Sequence, residues 1–293
     1  MTLRPLALAH LTLLGCAPSA LVEIAAQSGF SMVGVRVLPA TLNEVRYPLH
    51  AGSPMVAQTR RALSSAGIGV LDVEALSLDG QMTRELWLPA LEVAGELGAS
   101  VLNVIGADPD PHRLRDSFAA LCADAAAHGV RASLEPISYQ PIRTVSDAAE
   151  VIEDVECGGI MLDTLHFQRA GSAPREISAL PRSLFSVIQL SDGPPAPRVG
   201  VVVPKFDPMA QAGETSARVI ESRVQRDLPG EGIFPLTEIL RRVHPETPIS
   251  VEVPNPRLIA EIGPFEYARR AFVAANRVLD TVDPAPTPRS VRL

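Results

Sequence analysis

Four oxygen-bearing side chains close four apolar runs in this chain. Glu135 follows Ala132-Ser133-Leu134, Asp163 follows Gly159-Ile160-Met161-Leu162, Gln189 follows Val187-Ile188, and Glu252 follows Ile249-Ser250-Val251. Short apolar runs of this kind suit parallel strands buried on both faces. Polar groups where such strands end suit the loop face of an α/β protein, where ligands bind. Alternation along a strand carries Ser133, Met161, Val187 and Ser250 to the same side as the four donors. None of these is charged, as an inner barrel layer requires. Three carboxylates and one amide oxygen make a hard, all-oxygen shell, which favours Mg²⁺ or Mn²⁺ over zinc with its preference for nitrogen and sulfur. A divalent-metal site is therefore expected.

Strands must deliver those groups to one place, and eight strand–helix repeats are legible. Strands are predicted over residues 6–13, 30–38, 70–76, 101–105, 132–135, 160–163, 187–189 and 249–253. Helices are predicted over residues 18–28, 53–67, 86–97, 111–128, 146–155, 176–184, 235–243 and 265–279. Leu114, Phe118, Leu121 and Ala125 recur at helical spacing, and Thr144 and Ser146 are candidate caps. Regular alternation of this kind implies a parallel sheet with helices outside it. Eight repeats favour a closed α/β barrel, a single (β/α)8 TIM barrel, over an open doubly wound sheet. No GxGxxG or phosphate-loop motif follows any strand. The expected barrel domain spans residues 1–280, with a proline-rich tail over residues 281–293. The connection after strand seven, residues 191–232, is far longer than an ordinary loop, and residues 216–227 read as a helix within it.

Composition narrows the function. With 293 residues, 46% hydrophobic and 20% charged, the chain can bury a large core. A formal net charge of −7 disfavours nucleic acid as a partner, because binding its backbone needs a basic face. No segment approaches the roughly 20 continuous apolar residues of a membrane span. Residues 6–14 and Leu13-Leu14-Gly15-Cys16 look like a lipoprotein leader, but His10 interrupts the run and the same residues supply strand one. Cys16, Cys122 and Cys157 form no zinc-like pair and no disulfide framework, which fits a reducing compartment, so a cytoplasmic location is expected. Lys205 is the single lysine; codon bias accounts for that most simply, and contact with an anionic substrate is the other reading. Homo-oligomerisation stays open.

Four motifs occur in one order: Asp163-Thr-Leu-His166-x-x-Arg169-x-Gly171, Gln189-Leu-Ser-Asp192-Gly193, Leu228-Pro-Gly-Glu-Gly232 and Ser250-Val-Glu252. Together they resemble the xylose isomerase-like barrel superfamily, also called the sugar phosphate isomerase/epimerase family, over nearly the whole chain. The resemblance implies metal ligation by Glu135, Asp163, Gln189 and Glu252, with His166 beside the metal and Arg226 near the substrate. Sugar epimerases of that family usually carry histidine at the third ligand; Gln189 there resembles 3-dehydroshikimate dehydratases. The expected activity is a metal-dependent isomerase or epimerase acting on a polyhydroxylated ketone or small sugar through an enediolate. A lyase dehydrating 3-dehydroshikimate or an inosose is the close alternative. Glu135 and Glu252 are the acid/base candidates, with His166 protonating a leaving hydroxyl. Arg36, Glu74 and Asn103, near the ends of strands two to four, are candidate substrate contacts. His10 reads equally as a mouth residue or a buried hydrogen-bonded one, and Asp192 as a turn cap or a ligand-orienting group. An abasic-site endonuclease is disfavoured because it needs many histidine ligands, and a non-catalytic sugar-binding barrel because the ligand set is complete.

Overall fold

The computed structural model describes residues 4–40, 44–200 and 216–282. Its strands are β1 (Leu6–Leu8), β2 (Met32–Arg36), β3 (Gly69–Leu78), β4 (Val101–Gly106), β5 (Arg131–Glu135), β6 (Gly159–Asp163), β7 (Phe185–Leu190) and β8 (Ile249–Val251). They pair in sequence order, all parallel, and β8 closes on β1. The (β/α)8 barrel implied by the alternation is the fold. The register sets Asp163 beside Gln189 and Gln189 beside Ser250, so the polar strand ends are brought level.

Local chemistry explains the outer layer. The helices Pro18–Ser28, Pro54–Ala66, Pro111–Ala127 and Pro264–Val282 each begin with proline, whose missing N–H costs nothing in a first turn. Ser53 and Asp110 accept backbone N–H groups as N-caps. The helix Pro54–Ala66 stops at Gly67, whose φ of 68° lies in the left-handed region that glycine enters freely. The helix Val145–Ile152 starts in a capping box: Thr144 Oγ1 accepts from Asp147 N at 3.1 Å, and the Asp147 carboxylate accepts from Thr144 N at 2.9 Å. A separate apolar cluster inside the barrel (Ala7, Leu71, Val101, Met161 and Val187) plugs the space beneath the strand ends.

Several boundaries differ from the sequence reading. β1 stops at Leu8, and His10–Leu13 is a 3₁₀ turn rather than more strand. Polar bonds hold the chain there: His10 N donates to Glu74 Oε1 on β3 at 2.8 Å, and Thr12 Oγ1 donates to Val251 O on the neighbouring β8 at 3.0 Å. The helix expected over residues 176–184 is broken into Pro174–Ile177 and a 3₁₀ turn Arg182–Leu184, with Pro181 between them. A further helix, Pro256–Ile262, follows β8, capped by the Asn255 side chain on Leu258 N. The connection after β7 contains the helix Ala217–Val224, and an antiparallel bridge between Asp192 and Asp227 returns it to the strand ends. Lys205 lies outside the described residues, and so does the expected tail from residue 283 on; residues 281 and 282, expected to open it, still belong to the helix Pro264–Val282. Among the described residues, no helix is long and apolar enough to cross a membrane.

The capping box makes a direct prediction. Thr144→Ala should lower the unfolding free energy by about 1 kcal/mol, read as a lower urea midpoint at unchanged slope. An unchanged midpoint would show that the box contributes nothing.

Candidate active site

Glu135 and Asp163 are the last residues of β5 and β6, Gln189 stands one residue from the end of β7, and Glu252 immediately follows β8. All four are buried. Asp163 also caps the helix Thr164–Arg169, its Oδ1 accepting from Leu165 N at 2.7 Å and His166 N at 3.1 Å. That cap turns the chain so that His166 faces the mouth, its Nε2 4.0 Å from Glu135 Oε1. Glu135, Asp163 and His166 each offer a ligand atom, and these atoms lie within 4.8 Å of one another. Asn103 Nδ2 donates to Glu135 Oε2 at 2.8 Å, which leaves Oε1 facing the imidazole. Gln189 Nε2 donates to Glu252 Oε1 at 3.0 Å, and Gln189 Oε1 is buried without a partner.

Arg226 joins the two sides of this group. Its Nη1 donates to Asp163 Oδ2 at 2.6 Å, its Nη2 lies 2.8 Å from Glu252 Oε2, and its Nε donates to Ser222 O at 2.8 Å. The four strand-end donors therefore meet at one mouth, but Asp163 and Glu252 already share a guanidinium there.

The electrostatics follow from burial. Desolvation, with the charge of Asp163, pushes Glu135 up to about 8. Desolvation raises Glu252 well above the usual carboxylate range despite Arg226. For Asp163 burial is the largest influence and pulls upward, but the charges and hydrogen bonds of Arg226 and His166 together overcome it, and the carboxyl sits below its ordinary value. Burial drives His166 down to about 4, so its imidazole is neutral at pH 7 and keeps a free nitrogen lone pair. The residues fit a divalent cation: they present an unpartnered amide oxygen, a desolvated carboxylate and a neutral imidazole.

The other side of the mouth is already knitted together. Arg36 Nε lies 3.1 Å from Glu44 Oε1, and its Nη2 3.4 Å from Glu74 Oε2. His10 is buried, stacks on Tyr47, accepts Arg36 N on Nδ1 at 2.8 Å and pairs through Nε2 with Cys16 O at 2.9 Å. Since Nδ1 accepts, the ring proton is on Nε2, and burial drives this histidine to about 4. Arg36 and Glu74 thus line the mouth while bound to each other, and Asn103 stands against Glu135.

Some residues escaped the sequence reading. Asp72 is fully buried with both carboxylate oxygens unpartnered, and burial, with the charge of Glu74, raises it well above its usual range. It packs against Gly34, where a Cβ would fall 3.1 Å from Asp72 Oδ1. Asp72 stands two residues before Glu74, and strand alternation from Glu74 was the signal for it. Tyr139 stands edge-on to His166 and bonds to Ser222 Oγ at 2.9 Å, while Ser138 Oγ lies 3.3 Å from His166 Nδ1. Asp192 proves to be a cap: its oxygens accept N–H groups from Gly193, Gly230 and Phe234. Arg169 binds Glu221 through Nε and Nη2 at 2.7 and 2.6 Å, holding the helix that precedes Arg226.

Comparisons with known proteins fit this architecture. The family model for xylose isomerase-like TIM barrels matches residues 22–274. A xylose isomerase-like TIM barrel/4-hydroxyphenylpyruvate dioxygenase fusion protein superposes with a TM-score of 0.74 at 19% identity, over 96% of this chain. The chain spans 44% of that protein's length. The IolI protein, whose structure holds a zinc atom, gives a TM-score of 0.73 at 16% identity, over 96% of this chain and 100% of IolI. The D-allulose 3-epimerase of Methylomonas sp., in complex with D-allulose, gives 0.65 at 15% identity, over 94% of this chain and 98% of the epimerase. No curated protein matches the chain in sequence.

Arg226→Met would leave Asp163 and Glu252 buried beside each other with no cation between them. A loss of about 3–5 kcal/mol in unfolding free energy at pH 7 is expected. The deficit should shrink toward pH 4, because the two carboxyls then bind protons in the folded variant. A deficit independent of pH, measured by urea unfolding, would contradict the role given to Arg226.

Proposed function

The chain belongs to the xylose isomerase-like TIM barrel family, and from that premise we propose that it is a divalent-metal-dependent isomerase or epimerase of a small sugar or keto-polyol. The observation that carries this reading is the buried cluster of Glu135, Asp163 and His166, with the unpartnered oxygen of Gln189 nearby in the same ring of strand ends. Glu135, Asp163, Gln189 and Glu252 would hold the ion, and His166 is close enough to Glu135 and Asp163 to join its shell. Oxygen donors favour Mg²⁺ or Mn²⁺, and a histidine nitrogen extends the range toward Mn²⁺ and zinc. When bound, such an ion polarises a ketone and stabilises the enediolate left by loss of an α-proton.

The chain's own groups carry the proton. Burial raises both Glu135, to about 8, and Glu252, so each holds a proton more readily than an ordinary carboxyl and is a candidate to take one from the substrate and return it. Asn103 fixes the rotamer of Glu135, and Arg226 brings a fixed positive charge to oxygens developing negative charge. Arg36 and Glu74, paired with each other, would touch the far end of a substrate, and Lys205 remains a proposed contact for an anionic one. Three free thiols suit a reducing compartment, and the cytoplasm is the proposed location.

Gln189 favours a second reading, a dehydratase. Here His166 would protonate a departing β-hydroxyl, and the conjugated product would absorb in the ultraviolet, unlike an epimer.

Three outcomes are expected. Mn²⁺-loaded protein in D₂O should exchange the α-proton of a ketose such as D-allulose, seen by NMR, without a rise in ultraviolet absorbance. Absorbance rising with turnover would decide for the dehydratase. Glu252→Gln should lose at least about 100-fold in exchange rate while remaining folded; wild-type exchange would remove Glu252 from the chemistry. Mn²⁺ binding at pH 7 should release protons, because Glu135 must ionise as the cation enters, and release should fade above pH 8. Calorimetric enthalpies that do not change with buffer ionisation enthalpy at pH 7 would contradict that.

A further inference from the structure

Given the metal site proposed above, we propose that Arg226 and the divalent cation are rivals for the same two oxygens, Asp163 Oδ2 and Glu252 Oε2. Loading the ion then drives the guanidinium off both carboxylates and frees it for substrate. Each oxygen of the four strand-end donors can be accounted for. Asp163 Oδ1 is taken by Leu165 N and His166 N, Glu252 Oε1 by Gln189 Nε2, and Glu135 Oε2 by Asn103 Nδ2. Glu135 Oε1 faces the His166 imidazole at 4.0 Å, and Gln189 Oε1 is unpartnered. The last two, Asp163 Oδ2 and Glu252 Oε2, are held by Arg226 Nη1 at 2.6 Å and Nη2 at 2.8 Å. The open donors thus include a single carboxylate, which is little charge for a hard ion that sheds its water reluctantly. Asp163 and Glu252 supply the missing charge only by letting go of the guanidinium.

The exchange is confined to one side chain. Arg226 N donates to Pro254 O at 3.2 Å, and the adjacent Asp227 bridges to Asp192, so the backbone is tied to the ends of both β7 and β8. Nε donates to Ser222 O at 2.8 Å. Ser222 is itself braced, since its Oγ donates to Val219 O at 3.0 Å and meets Tyr139 OH at 2.9 Å. The two Nη groups can therefore swing away from the carboxylates while Nε stays hinged on Ser222. Charge favours the swing. A guanidinium brings one positive charge to two carboxylates and the ion brings two, and the two cations repel strongly out of water. Asp163 and Glu252 with neither cation would be buried beside each other uncompensated, so the arginine keeps the ring of strand ends foldable until the ion arrives.

Arg226→Lys separates rivalry from charge. Lysine keeps the positive charge, but a single ammonium does not span two carboxylates as the planar fork does. Chelator-treated, full-length protein titrated with Mn²⁺ in a calorimeter should show Arg226→Lys binding at least about tenfold tighter than the wild type. Wild-type protein with ¹⁵N-labelled arginine gives the direct view. The Nη signals of Arg226, assigned through its own backbone, should move on saturation with Mg²⁺, while its Nε–H signal, bonded to Ser222 O, persists. Equal Mn²⁺ affinities in the two proteins, or Nη signals unmoved at saturating Mg²⁺, would overturn the proposal and leave the metal site standing. Binding of neither ion by either protein would bring down the metal site and the proposal together.

Discussion

Buried negative charge at the barrel mouth is the constraint to which the rest of the structure answers. Glu44, Asp72, Glu74, Glu135, Asp163 and Glu252 are all buried, and Arg36 and Arg226 pair with four of them there. An unpaired carboxylate out of water is costly, so each must find a cation, collect N–H donors or hold a proton. All three solutions appear. Asp163 takes a guanidinium and two helix N–H groups, Glu74 shares Arg36 and accepts from His10 N, and Asp72 rises toward the neutral acid. Glu135 is left with one amide donor and a neutral imidazole, which is why a divalent ion fits beside it.

That balance also explains parts of the fold remote from the strand ends. Arg226 must stand between β6 and β8, so the connection after β7 is anchored on both sides of it. Asp192 accepts three backbone N–H groups there, and the ion pair of Arg169 with Glu221 steadies the helix one turn before the arginine. Gly34 is glycine because Asp72 and Glu74 occupy the space a side chain would need. The early end of β1 has the same origin, since His10 turns inward to serve Glu74 and the backbone of Arg36.

Much of this was legible in the sequence because strands obey a period of two. Glu135, Asp163, Gln189 and Glu252 stand where apolar runs stop, and a barrel brings its strand ends around one axis. His166 was legible through the motif Asp163-Thr-Leu-His166, whose resemblance to the xylose isomerase-like barrels implies a histidine beside the metal. The grip of Arg226 on both Asp163 and Glu252 was not, because a long connection of no regular period hides where its residues return. Asp72 was hidden inside a run that reads as plain strand.

The central claim is that this charged mouth is built around one divalent cation. Anomalous scattering from a crystal of the protein grown with Mn²⁺ tests it most directly. The account predicts one strong peak among Glu135, Asp163 and His166, within bonding distance of Gln189 Oε1 or Glu252. An ordered mouth with no peak there, and Arg226 still spanning Asp163 and Glu252 at saturating Mn²⁺, would contradict it.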